Sequence, residues 1–358
     1  MGMISSALDR PPRTAAVIGT EDEALTVAGT IAGIFGNAAA NTAKTAEARL
    51  DLLSRSGLFG ISVPTEHGGI DVSNTVLADV CALAAEHSAT LGEILAAHFV
   101  VLEQLRSLGT EGHHTVVFSA VFSGARLSRA APRRGGQEAD ALPLAPSGLA
   151  WRLGGEALCT PCTRHADWVL VPTRSDSGRT AGLLLGTRAE GLHYVANSCE
   201  PVRGGAQPAE HVLFKDVLVD GDALLHPSSE AGVPFSLELL LDAARQLGAG
   251  KRALDRLLET EDADAFETGL LSARLAAAQA LIAEAGRAID AAQIGLADLH
   301  RTNAFLAAAS AFAVAHETAN RIRAATGRTE QPLPAHLAAA LKETGRLRRE
   351  AHRQPPEA

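Results

Sequence analysis

The sequence predicts an α+β chain in three parts: a helical N-terminal domain, a small central β domain and a C-terminal four-helix bundle. Two observations carry this. Apolar residues recur at helical spacing over about 20–122 and again beyond about 231. Between them, from about 123 to 230, glycine and proline become frequent and the apolar runs shorten to strand length. Residues 1–19 read as an arm ahead of the first helix.

The first helix is announced by Ala24, Val27, Ala28, Ile31 and Ile34, with Thr20 as N-cap and Glu23 three residues on. Leu50, Leu53, Leu58 and Ile61 form a second apolar series. It is broken at Val63-Pro64 and Gly68-Gly69. A further helix opens after Asp71-Val72-Ser73-Asn74 and runs through Leu77, Val80 and Leu83. Strands are expected at Ala150–Leu153, Trp168–Val171, Gly182–Leu185, Leu192–Val195 and His211–Leu218, and Arg133–Ser147 reads as a mobile loop. In the bundle, Leu237, Leu240, Leu241, Ala244, Leu247, Leu254 and Leu258 trace one helix face. Three more helices are expected near Phe266–Leu299, Asn303–Thr326 and Pro334–His352, and short links make the bundle antiparallel. Gly248-Ala249-Gly250 on a helix is suited to close helix packing.

Composition narrows the function classes. The 358 residues suffice for two or three domains, and a net charge of −9 gives no electrostatic footprint for nucleic acid. The basic run Arg346, Arg348, Arg349, His352 and Arg353 suits the last turns of a helix. No stretch of 18 apolar residues predicts a membrane span, and no secretory signal is read at the N-terminus. Cys81, Cys159, Cys162 and Cys199 are too few and scattered for a disulfide framework, so a reducing cytoplasm is expected. Cys159-x-x-Cys162 lacks the second ligand pair of a structural zinc site, and no metal is expected.

Several segments, in order along most of the chain, resemble the acyl-CoA dehydrogenase superfamily, specifically its flavin monooxygenase branch. They are Arg13–Ala28, Gly57–Ser73 (GLFGISVPTEHGGIDVS), Ala97-His98-Phe99, Trp151–Val171, Val212–Leu225 and Gln246–Leu254. The resemblance implies an acyl-CoA-dehydrogenase-like fold, with FMN or FAD between the β domain and the bundle. It also implies a small-molecule substrate, a partner flavin reductase, and assembly as a homodimer or homotetramer through the bundle. Alanine runs at Ala276–Ala278 and Ala307–Ala309 permit close helix approach.

Carried over residue by residue, the resemblance makes His98 the acid/base and gives the flavin Ser128, Cys159, Thr160 and Arg349. The departures are equally specific. Ala97 replaces an asparagine, and Pro161 removes a backbone N–H and a hydroxyl from the flavin-facing strand. Arg129 stands where an acidic residue is expected. Ala206-Gln207-Pro208-Ala209-Glu210 lacks the usual hydroxyls, and the expected histidine-bearing tail is missing after Ala358. Glu238, Glu317 and Glu330 are the carboxylates a dehydrogenase reaction would draw on, and each is expected on a solvated helix face. Three functions are therefore carried forward: a flavin-dependent monooxygenase or oxidoreductase, a flavin-free enzyme doing cyclisation or dehydration, and a non-catalytic partner of an active relative.

Overall fold

A computed structural model describes residues 13–37, 46–134, 137–175, 177–195, 209–225, 232–260, 264–295 and 297–353. The N-terminal domain comprises α1 (Glu21–Gly36), α2 (Ala46–Arg55), α3 (Asn74–His87) and α4 (Ala89–Leu108), followed by irregular helical turns over 111–122. Thr20 caps α1 by accepting the Glu23 N–H at 3.2 Å. The Ser73 and Ser88 hydroxyls cap α3 and α4 in the same way.

The β domain contains β1 (Leu127–Arg134), β2 (Gln137–Glu138), β3 (Leu142–Ser147), β4 (Ala150–Cys159), β5 (Trp168–Ser175), β6 (Thr180–Gly186), β7 (Leu192–Tyr194) and β8 (Glu210–Val219). The strand order is β2-β1-β5-β3-β4-β8-β7, with β6 on β5 and a further β1–β4 pairing that closes a small barrel. The loop expected over Arg133–Ser147 is instead largely strand. Its short, proline-bearing segments carry too little alternation to be read locally, and they gain their order from pairing with β4 and β5. Leu142, Leu153, Ala157, Val169, Val171, Leu183, Phe214 and Val217 fill the barrel interior. Period-two alternation then turns Arg129, Ala131 and Arg133 of β1, Glu156 and Leu158 of β4, and His211, Leu213 and Lys215 of β8 to the outer face.

The bundle consists of α5 (Val233–Leu258), α6 (Ala265–Ile294), α7 (Asp298–Ala325) and α8 (Ala335–Arg353), close to the four expected helices. α5 packs on α3 because Gly248 lacks a side chain. A Cβ there would lie 2.0 Å from the Ala82 carbonyl oxygen. One apolar core runs through the N-terminal domain and the bundle.

Buried polar side chains fasten the domains together. Arg126 donates to Ser54 at 2.8 Å, to the His165 carbonyl at 3.0 Å and to Asp51 at 2.5 Å. Its own N–H donates to Asp167, which Arg13 also engages at 3.1 Å. No helix among the described residues is long and apolar enough to cross a membrane.

Candidate functional site

His98 sits mid-α4 and is fully buried. Its Nδ1 accepts the Leu127 N–H at 3.1 Å, which requires that nitrogen to be unprotonated. Its Nε2 then donates to the Phe59 carbonyl at 3.0 Å. The ring packs against Phe59 at a tilt of 41°, with centroids 4.4 Å apart. Burial pushes its pKa down to about 3, against which the bond to Phe59 is the smaller influence. Both nitrogens are committed to backbone groups at the junction of α4, the 57–60 turn and β1. This arrangement contrasts with the acid/base role expected from the sequence, since each imidazole nitrogen is engaged by a backbone group.

The other expected residues divide. Cys159 points into the barrel core, because it lies on the inward alternation of β4, and burial pushes its thiol pKa up. It is not available to a cofactor. Arg349 lies on the exposed side of α8, thirteen residues and about 20 Å of helix beyond His336. Within this chain the fold does not bring it to the other expected residues.

Thr160 follows β4 beside Arg129, whose side chain reaches α5, whereas Ser128 alternates to the opposite face of β1, and the hydroxyls of both are engaged. The Ser128 Oγ bonds the Thr163 Oγ at 2.5 Å, both buried. The Thr160 Oγ accepts the Arg129 N–H at 3.1 Å, and the Thr160 N–H donates to the Arg129 carbonyl at 2.9 Å. Pro161 falls in the turn after β4, and Cys162 adopts a left-handed φ of 64°. Of the segment 206–210, Ala206, Gln207 and Pro208 lie outside the described residues.

A charged cluster joins the three domains beside Thr160. The Arg129 guanidinium reaches across from β1 to Glu238 on α5 at 2.8 Å. One turn further along α5, Asp242 binds Arg245 at 2.5 Å and His336 at 2.8 Å, while Arg245 also pairs with Glu93 of α4. Burial opposes these charges, but partners outweigh it. Arg245 holds the Asp242 carboxyl below its ordinary value, and Glu238 holds Arg129 above its own. Asp242 raises the His336 imidazole despite desolvation. Glu238 is thus half-buried and paired rather than solvated, whereas Glu317 and Glu330 are exposed as expected. Glu238, Asp242 and His336 place ligand atoms within 4.8 Å of one another. Glu238 is paired with Arg129, and Asp242 shares Arg245 with Glu93, so the cluster is an ion-pair network.

The same outer face of β1, β4 and β8 leads from Arg129 and Thr160 to a cavity of about 700 Å³ at its far end. Arg133, Arg134, Arg174 and Lys215 line it, with Glu156 as the acidic member. Sequence reasoning missed this cavity because its cations come from three strands and form no linear motif.

Flavin fits the two ends of this face differently. The far end presents the cationic donors that a phosphoryl group requires. At the near end, the hydroxyls of Thr160 and Ser128 are already bonded, and the Arg129–Glu238 pair occupies the space between β1 and α5.

No family model and no curated protein matches the chain. Its fold matches solved structures over nearly its whole length. TdsC from Paenibacillus sp. A11-2, a dibenzothiophene monooxygenase solved with FMN and indole, is 20% identical with a TM-score of 0.76. That match covers 94% of this chain and 98% of TdsC. Methanesulfinate monooxygenase MsuC from Pseudomonas fluorescens is 16% identical with a TM-score of 0.76, covering 95% and 99%. XiaF from Streptomyces sp., solved with FADH2 and glycerol, is 15% identical with a TM-score of 0.73, covering 94% and 97%. The chain has the acyl-CoA-dehydrogenase-like fold that the sequence predicted.

Proposed function

We propose that the chain is a flavin-dependent oxidoreductase of the monooxygenase type acting on a small organic substrate. The observation that carries this reading is the continuous outer face of the β domain, running from Thr160 at the bundle junction to the basic cavity. It lies in a fold shared with structures that hold FMN or FADH2. Flavin would supply the redox chemistry. This chain's residues would hold its phosphoryl end at the basic cavity, and the ring would reach the junction by displacing the Arg129–Glu238 pair.

His98 is assigned a structural part in this scheme. It fixes α4 to the start of β1, and so fixes the strand on which Arg129 and Ser128 are carried. A flavin reductase as electron donor belongs to the same reading, as does a cytoplasmic location. Homo-oligomer formation is supported by the exposed apolar Phe266, Leu270 and Ile294 along α6.

Titration with FMN and with FAD, oxidised and reduced, tests the proposal. Binding in the micromolar range is expected, read by flavin fluorescence or absorbance. Protein that binds neither flavin in either state refutes it. That outcome would favour the second reading, a flavin-free enzyme on the same fold, which the Arg129–Glu238 pair and the bonded Thr160 hydroxyl support.

A further inference from the structure

We propose that a small polar cavity between the N-terminal domain and the bundle binds one divalent cation of calcium size, stripped of its water shell. The ion fastens the 62–74 segment to α4 at the point where both meet α6. Its ligands are side-chain oxygens of Ser62, Asp71, Asn74 and Glu103, which line the cavity together with Arg106 and Gln293. No linear motif announces this set, because the four positions meet only in the fold.

The first argument is an open acceptor. Asn74 is 2% exposed, and its Nδ2 donates to Asp290 at 2.7 Å and to the Gln293 Oε1 at 2.8 Å. An ionised carboxylate only accepts, so the amide nitrogen must face Asp290 and the amide oxygen must face away. That Oδ1 is buried and has no hydrogen-bond partner among the described residues. The Ser62 Oγ, on the same cavity wall, is a second buried oxygen without one. Buried polar atoms are costly to leave unpaired, and two of them on one wall call for an occupant.

The second argument is charge. Asp71 lies within electrostatic reach of Asp290, Glu103 and Arg106, and exposed Glu66 adds to the negative side. Arg106 donates to Asp71 at 3.0 Å. Glu103, almost fully buried, accepts from neutral groups, the Ser107 hydroxyl at 3.2 Å and the Gln293 amide at 2.8 Å. Three ionised carboxylates therefore face one guanidinium. A divalent ion balances the surplus, whereas a water molecule leaves it in place.

The third is chemistry and size. Carboxylate, amide and hydroxyl oxygens are the ligands of hard cations. The cavity offers about 10 Å³, room for one water-sized sphere. Magnesium keeps several of its waters and does not fit that volume. Calcium accepts irregular oxygen sets at about 2.3–2.6 Å, and the four side chains supply about four to six oxygens.

The test is thermal melting of the full chain, stripped with a chelator and followed by circular dichroism near pH 8, since metals bind deprotonated carboxylates. Calcium chloride is compared with sodium and magnesium chlorides at equal ionic strength. At calcium about a hundredfold above its Kd, the melting temperature should rise by about 3–4 °C. Equilibrium dialysis should find one calcium per chain. Ser62→Ala removes an oxygen with no hydrogen-bond partner among the described residues. Its metal-free melting temperature should therefore stay near that of the unaltered protein, while calcium affinity falls about tenfold or more. Glu103→Gln keeps the shape of the site and removes one charge, so its melting temperature should not respond to calcium. No calcium-dependent rise in the unaltered protein overturns the proposal and leaves the cavity to a single water. An equal rise with magnesium overturns it, as does a calcium response that Glu103→Gln retains or that Ser62→Ala leaves at full affinity.

Discussion

Replacing His98 with alanine should cost the protein stability rather than a catalytic group. The substitution leaves the Phe59 carbonyl and the Leu127 N–H buried without partners, at about 1–3 kcal/mol each, and empties a buried ring site worth about 3 kcal/mol more. A loss of at least about 5 kcal/mol is expected. At about 2.1 cal/mol/K per residue, 358 residues give an unfolding entropy of about 0.75 kcal/mol/K. The melting temperature should therefore fall by about 7 °C or more near pH 7.5. The pH dependence gives a second reading. The folded pKa of His98 is lowered from 6.5 to about 3, so its neutral form stabilises the fold fully above 6.5. That stabilisation is lost as pH falls toward 3, at about 1.4 kcal/mol per pH unit. At about pH 5 the unaltered protein should have lost about 2 kcal/mol that the alanine variant never had, and the gap between them should narrow accordingly. Far-UV circular dichroism melts at the two pH values measure both effects. A variant that melts with the unaltered protein yet loses turnover would refute the structural assignment and return His98 to acid/base work.

Two further outcomes test other buried elements. Burial raises the Glu103 carboxyl to about 7 although it accepts from Gln293 and Ser107. The stabilisation is present below about 4.5 and lost as pH rises through 7. An E103Q variant should therefore gain up to about 3 kcal/mol relative to the unaltered protein between about pH 5 and pH 8, and parallel pH–melting curves would refute this. Gly248→Ala should cost about 3 kcal/mol or more, because its Cβ would meet the Ala82 carbonyl at 2.0 Å and the Glu86 nitrogen at 2.8 Å. An alanine variant with an unchanged denaturation midpoint would show that α3 and α5 can separate.

Much of the fold is legible in the sequence because helical periodicity is local. The series from Leu237 to Leu254 requires only that one face of α5 be buried, and the structure buries it, whereas Leu258 at the end of the helix is exposed. Gly248 likewise announces close packing before its neighbour is known. β1 to β3 are not legible, since Leu127–Arg134 and Leu142–Ser147 become strands through partners on β4 and β5. Site residues carried over by resemblance fared according to which way the backbone turns them. One step of strand alternation separates Cys159, facing the barrel core, from Thr160 at the junction. The Arg129–Glu238 pair joins positions 109 apart, and no local pattern announces such a pairing.

The charges along the outer β face also impose a direction on any ligand that lies there. At the bundle end, Glu93, Glu238 and Asp242 contribute three negative charges, and Arg129 and Arg245 contribute two positive ones. One negative charge is left over unless His336 is protonated. Asp242 favours that protonation by holding the imidazole above its ordinary pKa. The same contact ties down α8, whose buried side chains are only Leu337 and Ala340. The bundle end is therefore neutral when His336 carries its proton and acidic when it does not. The lining of the far cavity carries four cations and the Glu156 carboxylate in either case, with Asp140 beside Arg174. An amphipathic anion placed on this face lowers its energy by turning its phosphate to Arg133 and its uncharged ring to Thr160. The reverse orientation would set the phosphate against the Glu238 and Asp242 carboxylates.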